Sequence, residues 1–368
     1  MAIVEECHGH VNGVLGLVRP FRLWYTTARP ILRYPGRLFY GHVQAKSGVA
    51  VDALVGIDLG GTQIRAVLAR PDGTILARYR TRTAPEDGPE AVLGRIVAAA
   101  RTVMAQAGGV PIMGIGAGSP GPLDCRDGVV LAAPNLGWVN VPLKSRLEHE
   151  LGMPVVVGND ANAAALAEWR FGAGRGVDNL VYITISTGIG GGIITHGHLL
   201  LGRHGFAGEI GHTTVEPHGP PCKCGNIGCL EALAAGPAIA RSAAERIGRG
   251  EASLLASLAE GDLKRITTEM VADAARKGDR LATEVLQNAA FYVGVALVNL
   301  IHLLEPELIL IGGGVAHAGD LLFGTVRSVV RERAIACMAQ GVRIEPAALG
   351  DDAGVLGAIA LFLEYGRT

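Results

Sequence analysis

The chain has 368 residues, enough for one or two cores of about 150 residues and far more than a small disulfide-stapled scaffold needs. Its 33 basic and 34 acidic residues leave a formal charge of −1, which provides no electrostatic footprint for nucleic acid or an anionic membrane and points to small-molecule partners. The longest apolar run, 289–298, is cut by Asn299 and His302 and falls short of the ~18 residues of a membrane span, so no membrane segment is expected.

Residues 1–52 stand apart, with basic residues in excess and no sustained period of a helix or strand, and are expected to form a poorly ordered extension. From Ala53 the pattern sharpens. LVGIDLGGT is an apolar strand ending in a glycine turn, and IRAVLARPDGTIL continues as two strands joined by a Pro-Asp-Gly turn. Apolar residues at helical spacing follow over 90–107, then the strand IMGIGAGS running into a loop, then the buried strand of MPVVVGND and a helix over 161–171. The segment NLVYITISTGIGGGII repeats the order of strand, glycine loop and strand, PELILIGGGV adds another strand with its turn, and a last helix covers about 354–363. Strands alternating with helices make the class α/β. The two hairpins, near 56–70 and 181–195, read as related units of two duplicated lobes around a cleft. A small lobe is expected over 53–160 and a large one over 161–352, with the final helix, 353–368, packing back on the small lobe.

Glycine supplies 53 residues, about twice the usual ~7%, gathered at the ends of apolar strands. That placement suggests backbone approaching phosphate oxygens. The candidate turns are Asp58-Leu-Gly60-Gly61-Thr62, the loop from Ser186 through Thr187 and Gly188 to Gly192, and Gly312-Gly313-Gly314. Asp58 is suited to a hydrated Mg²⁺ ion. None of these is a P-loop, because no GxxxxGK[ST] occurs.

Asn159 and Asp160 close a buried strand and open a helix, the place where open α/β sheets bind ligands. Asp160 is therefore a candidate general base, and equally, from spacing alone, a helix cap. His212, Cys222, Cys224 and Cys229 form a denser pattern: three of the six cysteines fall within eight residues. Three thiolates and one imidazole complete a tetrahedral Zn²⁺ set with no position open for water, so the site is expected to be structural. The remaining cysteines are scattered, and the chain is read as belonging to a reducing cytoplasm. Glu209 and Glu231 bracket the metal set; from the residues alone each reads either as a solvated surface charge or, held rigid by the metal, as an acceptor for sugar hydroxyls.

DLGGT, GSPGP, NDANAAALAE, STGIGGG, GEIGH and CKCGNIGCLE, in this order, resemble the ROK family of bacterial sugar kinases and regulators over about 53–366. The pairing of GEIGH with CxCGxxGC is specific, whereas DLGGT is shared across the actin, hexokinase and Hsp70-like ATPases. The resemblance implies a two-lobed, actin-like and hexokinase-type fold of duplicated ribonuclease H-like lobes. It implies ATP-dependent phosphorylation of a hexose, glucose before N-acetylmannosamine, N-acetylglucosamine or fructose, with Asp160 as base. Asn135, Asn159, Glu209, His212 and Glu231 would contact the sugar. Gly60, Gly61, Thr62, Thr187, Gly188, Gly313 and Gly314 would line the nucleotide site with Asp58, and Zn²⁺ would bind His212, Cys222, Cys224 and Cys229. Relatives are commonly homodimers or homotetramers, and polyphosphate or ADP are the other donors to weigh against ATP. Gln63 departs from the lysine or asparagine of many relatives. The alternative of another class is a sugar-responsive transcription regulator, disfavoured because residues 1–50 lack the length and periodicity of a winged helix-turn-helix.

Overall fold

The structure, a computed structural model, describes residues 52–366, so the expected N-terminal extension lies outside the described residues. The chain opens with β1 (Ala53–Leu59), β2 (Gln63–Ala69), β3 (Ile75–Arg82), α1 (Pro89–Met104) and β4 (Ile112–Ser119). The short strands β5 (Leu123–Asp124), β6 (Val129–Ala133) and β7 (Trp138–Val141) follow, then α2 (Leu143–Leu151), β8 (Val155–Asn159) and α3 (Asp160–Phe171). A second series comprises β9 (Leu180–Ile185), β10 (Ile189–Thr195), β11 (His198–Leu199), α4 (Leu230–Ala234), α5 (Gly236–Gly248), α6 (Leu254–Leu258), α7 (Thr268–Arg276) and α8 (Arg280–Leu304). The chain ends with β12 (Leu308–Gly312), α9 (Asp320–Arg333), α10 (Ala336–Gly341), β13 (Arg343–Pro346) and α11 (Ala353–Tyr365).

Two five-stranded sheets share one plan, β3-β2-β1-β4-β8 and β11-β10-β9-β12-β13. In each, an antiparallel meander is extended by parallel strands, β4 and β8 in the first and β12 and β13 in the second. The duplication expected from the two glycine hairpins is therefore present. The hairpin strand β1 is apolar apart from Asp58 because both its faces are covered. Ala53, Val55, Ile57 and Leu59 point into a core shared with α1 and α2, while Leu54 joins a cluster with Val355, Ile359 and Phe362 of α11. In the second sheet Val181, Ile183 and Ile185 face α8 and its neighbours, whereas Leu180 and Tyr182 face α3 and α11. Helices α3 and α11 pack on each other between the two sheets, and α11 also lies on β1 and β4.

That arrangement revises the reading of the glycines. A Cβ on Gly116 of β4 would stand 1.7 Å from the Ala358 carbonyl oxygen of α11, and one on Gly192 of β10 would stand 2.5 Å from the Ala165 Cβ of α3. Much of the glycine excess thus brings helices onto sheets, and the phosphate-facing turns account for only part of it.

Two further features depart from expectation. The sequence predicts a loop where β5, β6 and β7 form a third sheet, because these strands are only two to five residues long. Helix α8, with 25 residues, is long and apolar enough to cross a membrane by length and composition, because Asn299 and His302 do not end it. Both side chains are exposed on one face, while 61% of its most apolar window is buried inside the protein, as in a core helix.

Candidate active site

Strand β8 ends at Asn159, whose extended backbone makes it the cap of α3. Its Oδ1 accepts the backbone N–H groups of Ala161 at 2.9 Å and Asn162 at 3.0 Å. The capping role that spacing left open for Asp160 thus falls to Asn159. Asp160 is the first helical residue, its Oδ1 accepting the adjacent Ala161 N–H at 2.8 Å. Burial pushes its carboxyl up to about 7; Asp58 and Glu209 add repulsion, and the Ala161 N–H pulls the other way. The three carboxylates are therefore neighbours, although they come from positions 58, 160 and 209.

Asp58 sits directly opposite Arg65 in the β1–β2 register, and the two form an ion pair of 2.8 Å. Burial raises the Asp58 carboxyl and Arg65 opposes that shift. Arg65 also donates to the Asp351 carbonyl at 2.9 Å, tying β2 to the segment that precedes α11. Beyond Asp58 the turn is closed by Gly60 N–H donating to Gln63 O at 2.9 Å and by the Thr83 hydroxyl donating to Gly60 O at 2.6 Å. A Cβ on Gly61 would lie 3.4 Å from that of Asn135, so the exposed Asn135 stands beside this turn.

In the second sheet Ser186 N–H donates to Gly188 O at 2.9 Å, leaving Thr187 exposed at the tip. Gly313 has φ +84, and a Cβ there would be 2.3 Å from the Ile185 carbonyl oxygen, so this turn requires glycine. Thr187 and Gly314 share the wall of a cavity of about 460 Å³. Pro237 and Ala240 of α5 with Ile266 supply apolar surface, and Glu269 and Asp273 of α7 supply polar edges. Arg276, on the same helix, donates to the His317 carbonyl at 2.9 Å and braces the wall. The volume and mixed lining suit a flat heteroaromatic group bearing a hydroxylated ring. Apart from Ser186, Thr187 and Gly314, its residues are not expected from the sequence.

The four expected metal ligands are brought together: the ligand atoms of His212, Cys222, Cys224 and Cys229 all lie within 4.8 Å of one another. Cys224 and Cys229 Sγ are 3.7 Å apart, as are Cys222 Sγ and His212 Nδ1. A tetrahedral ion with metal–sulfur bonds of ~2.3 Å places two sulfurs about 3.8 Å apart, so the donor set and its spacing fit Zn²⁺. Because Nδ1 faces the sulfurs, Nε2 is directed elsewhere. Cys229 immediately precedes α4, which carries Glu231, and the Glu231 Oε2 accepts the Ile189 N–H at 2.9 Å. The structure thus joins Glu231 to the Ser186–Gly188 turn, a contact that spacing did not foretell. Glu209 is exposed and ends the approach to the turn Ile210–His212.

Comparison with known proteins agrees with this architecture. The chain is 41% identical over 312 residues to a glucokinase of Thermotoga maritima, spanning 84% of this chain and 97% of that one. It is 34% identical to a xylose repressor of Caldicellulosiruptor bescii, covering 85% of this chain and 78% of the repressor. The crystal structure of a ROK family glucokinase from Streptomyces griseus, in complex with glucose and AMPPNP, superposes with a TM-score of 0.73 at 38% identity, over 84% of this chain and 98% of that one. The ROK family profile matches residues 54–365, and the chain belongs to the ROK family.

Proposed function

We propose that the protein is an ATP-dependent hexose kinase that phosphorylates glucose on its 6-hydroxyl, with 53–160 and 161–352 as its two lobes. The observation that carries the reading is Asp160, released from capping by Asn159, held near neutrality at about 7 and grouped with Asp58 and Glu209. A carboxyl poised near the working pH accepts a proton without binding it too tightly to release it again. Asp160 takes the proton of the sugar 6-hydroxyl as that oxygen bonds the γ-phosphorus, and ADP leaves from the opposite side.

The roles of the other residues follow from their places. Asn159 has its oxygen committed to the α3 cap, so its amide Nδ2 donates to the sugar. Asn135, Glu209, His212 through Nε2 and Glu231 through Oε1 complete the acceptor pocket. The 460 Å³ cavity takes the adenosine, with Thr187, Gly188, Gly313 and Gly314 lining the phosphates on one side and Gly60, Gly61 and Thr62 on the other. This cavity supports ATP over polyphosphate as donor, since a linear inorganic chain has no group to fill it. Mg²⁺, when bound beside Asp58, neutralises charge on the transferring phosphoryl group. Asp58 fits that role, because Arg65 occupies its Oδ2 and holds the carboxylate in place. Zn²⁺, when bound by His212, Cys222, Cys224 and Cys229, fixes the loop that carries the acceptors.

ATP-dependent ADP release measured with glucose, mannose, fructose, N-acetylglucosamine and N-acetylmannosamine separately tests the assignment. Turnover with glucose well above the others is the expected result. Sugar binding without turnover for all five would replace it with a sugar-responsive regulator, the activity named for the C. bescii relative.

A further inference from the structure

The side chain of Glu231 does something that an acceptor for sugar hydroxyls has no need to do. Its Oε2 receives the N–H of Ile189, the residue that follows the Ser186–Gly188 turn, at 2.9 Å. Gly188 leaves the room for this: a Cβ there would stand 2.6 Å from the same oxygen. Five residues further on, Gly236 N–H donates to Ser186 O at 2.8 Å, while the Gly236 carbonyl accepts the Thr268 hydroxyl, also at 2.8 Å. Thr268 lines the large cavity. The segment that begins at the last cysteine thus grips the turn at both ends, once through a carboxylate and once through the backbone.

We propose that Glu231 is a positioning residue for the phosphate-binding turn, so that the loop carrying the metal ligands shapes the donor site as well as the acceptor pocket. The inference rests on the reading of this site as one for ATP and a hexose. Its physical basis is that a hydrogen bond accepted by a half-buried side-chain oxygen, from outside the turn, constrains a turn whose remaining bonds are partly exposed backbone bonds. Oε2 is committed to Ile189, and Oε1 is the acceptor that remains for a sugar hydroxyl. One side chain therefore touches both substrates' sites, and its effect on nucleotide affinity is present when no sugar is bound.

The test is the affinity of the full, zinc-loaded chain for AMPPNP with Mg²⁺ by calorimetry, without sugar. Glu231→Ala is expected to weaken binding by about fivefold or more, and Glu231→Gln, whose amide oxygen still accepts the Ile189 N–H, to stay within about twofold of the parent. Gly188→Ala, which drives a methyl group against Oε2, is expected to weaken AMPPNP more in the parent than in the Glu231→Ala background. Chelation of the zinc is expected to weaken AMPPNP in the parent, with little further loss in Glu231→Ala. A residue that serves only the sugar leaves all of these sugar-free affinities unchanged, and that result overturns the proposal. If Glu231→Ala loses its zinc or fails to fold, Gly188→Ala decides: normal zinc content with unaltered AMPPNP affinity also overturns it. A parent chain that binds glucose but no AMPPNP removes the nucleotide reading and this inference with it, and is distinguished from the other outcomes by the parent's own titration.

Discussion

Replacing Asp160 with asparagine separates the chemistry of that carboxyl from its energetic cost. The side chain keeps an oxygen for the Ala161 N–H but can no longer take a proton from the sugar, so kcat is expected to fall by about 10²–10⁴. Stability is expected to move the other way. The folded carboxyl titrates at about 7, against 3.8 for an unburied aspartate. Below the lower value both states are protonated and the group contributes nothing. Between the two the unfolded chain releases the proton while the folded one retains it, and the folded state loses ~1.4 kcal/mol per pH unit. Above pH 7 the loss levels off at about 4 kcal/mol, or about 2–4 once the partial contact of Asp160 with water is allowed for. The asparagine variant carries no such loss. At ~1–2 °C per kcal/mol for a chain of this length, Tm should rise by about 2–8 °C at pH 8 and by roughly a third of that at pH 5. Thermal unfolding of both proteins at the two pH values, ligand-free, measures it. A gain equal at pH 5 and pH 8, or no gain at either, would refute the raised carboxyl, and full ADP release would refute Asp160 as the base.

For the parent enzyme the same titration predicts that kcat/KM falls tenfold per pH unit below about 7 and is flat above, which a pH–rate profile with glucose will show or exclude. Cys222→Ser removes one of the four proposed ligands, so zinc per chain measured by atomic emission should drop towards zero and Tm with it; stoichiometric zinc in that variant would mean a different donor set. Ala240→Trp places an indole in the large cavity and should raise KM for ATP at least tenfold while KM for glucose stays within twofold; equal effects on both would place the adenosine elsewhere. Glu168 is fully buried, and its two oxygens accept Leu349 N–H at 2.8 Å and Ala173 N–H at 3.0 Å. Glu168→Leu strands both donors and should cost about 2–6 kcal/mol in denaturant unfolding, whereas a cost below 1 would show that water replaces the carboxylate.

What was readable in the sequence was what is local along the chain. The hairpin turns after Asp58 and Ile185 announce themselves by glycine at the end of an apolar run, and the metal set by cysteines a few residues apart. Arg65 was within reach: once Leu59 and Ile64 are paired across the turn, Asp58 and Arg65 must stand opposite each other. The large cavity was not, because its walls come from α5, α7 and the Gly314 turn and consist of ordinary helix residues such as Ala240 and Thr268. The β5-β6-β7 sheet is not legible because strands of two to five residues are too short to show a period. In α8, Asn299 and His302 read as interruptions of an apolar run, yet both lie on the solvent side of an unbroken helix. Asp160 shows the same limit at a single residue, since only the hydrogen bonds of Asn159 distinguish a cap from a base.

The glycines beneath α3 and α11 bear on how this protein can change over generations. Gly116 and Gly192 touch no substrate, yet a methyl group at either would wedge a helix off its sheet, and α3 begins with Asp160. A survey of tolerated substitutions would score both positions as severely as Asp160, the proposed base. The exposed tips at Asn135 and Thr187 have room to vary, whereas the spacing between layers does not, because one carbon atom exceeds the clearance available.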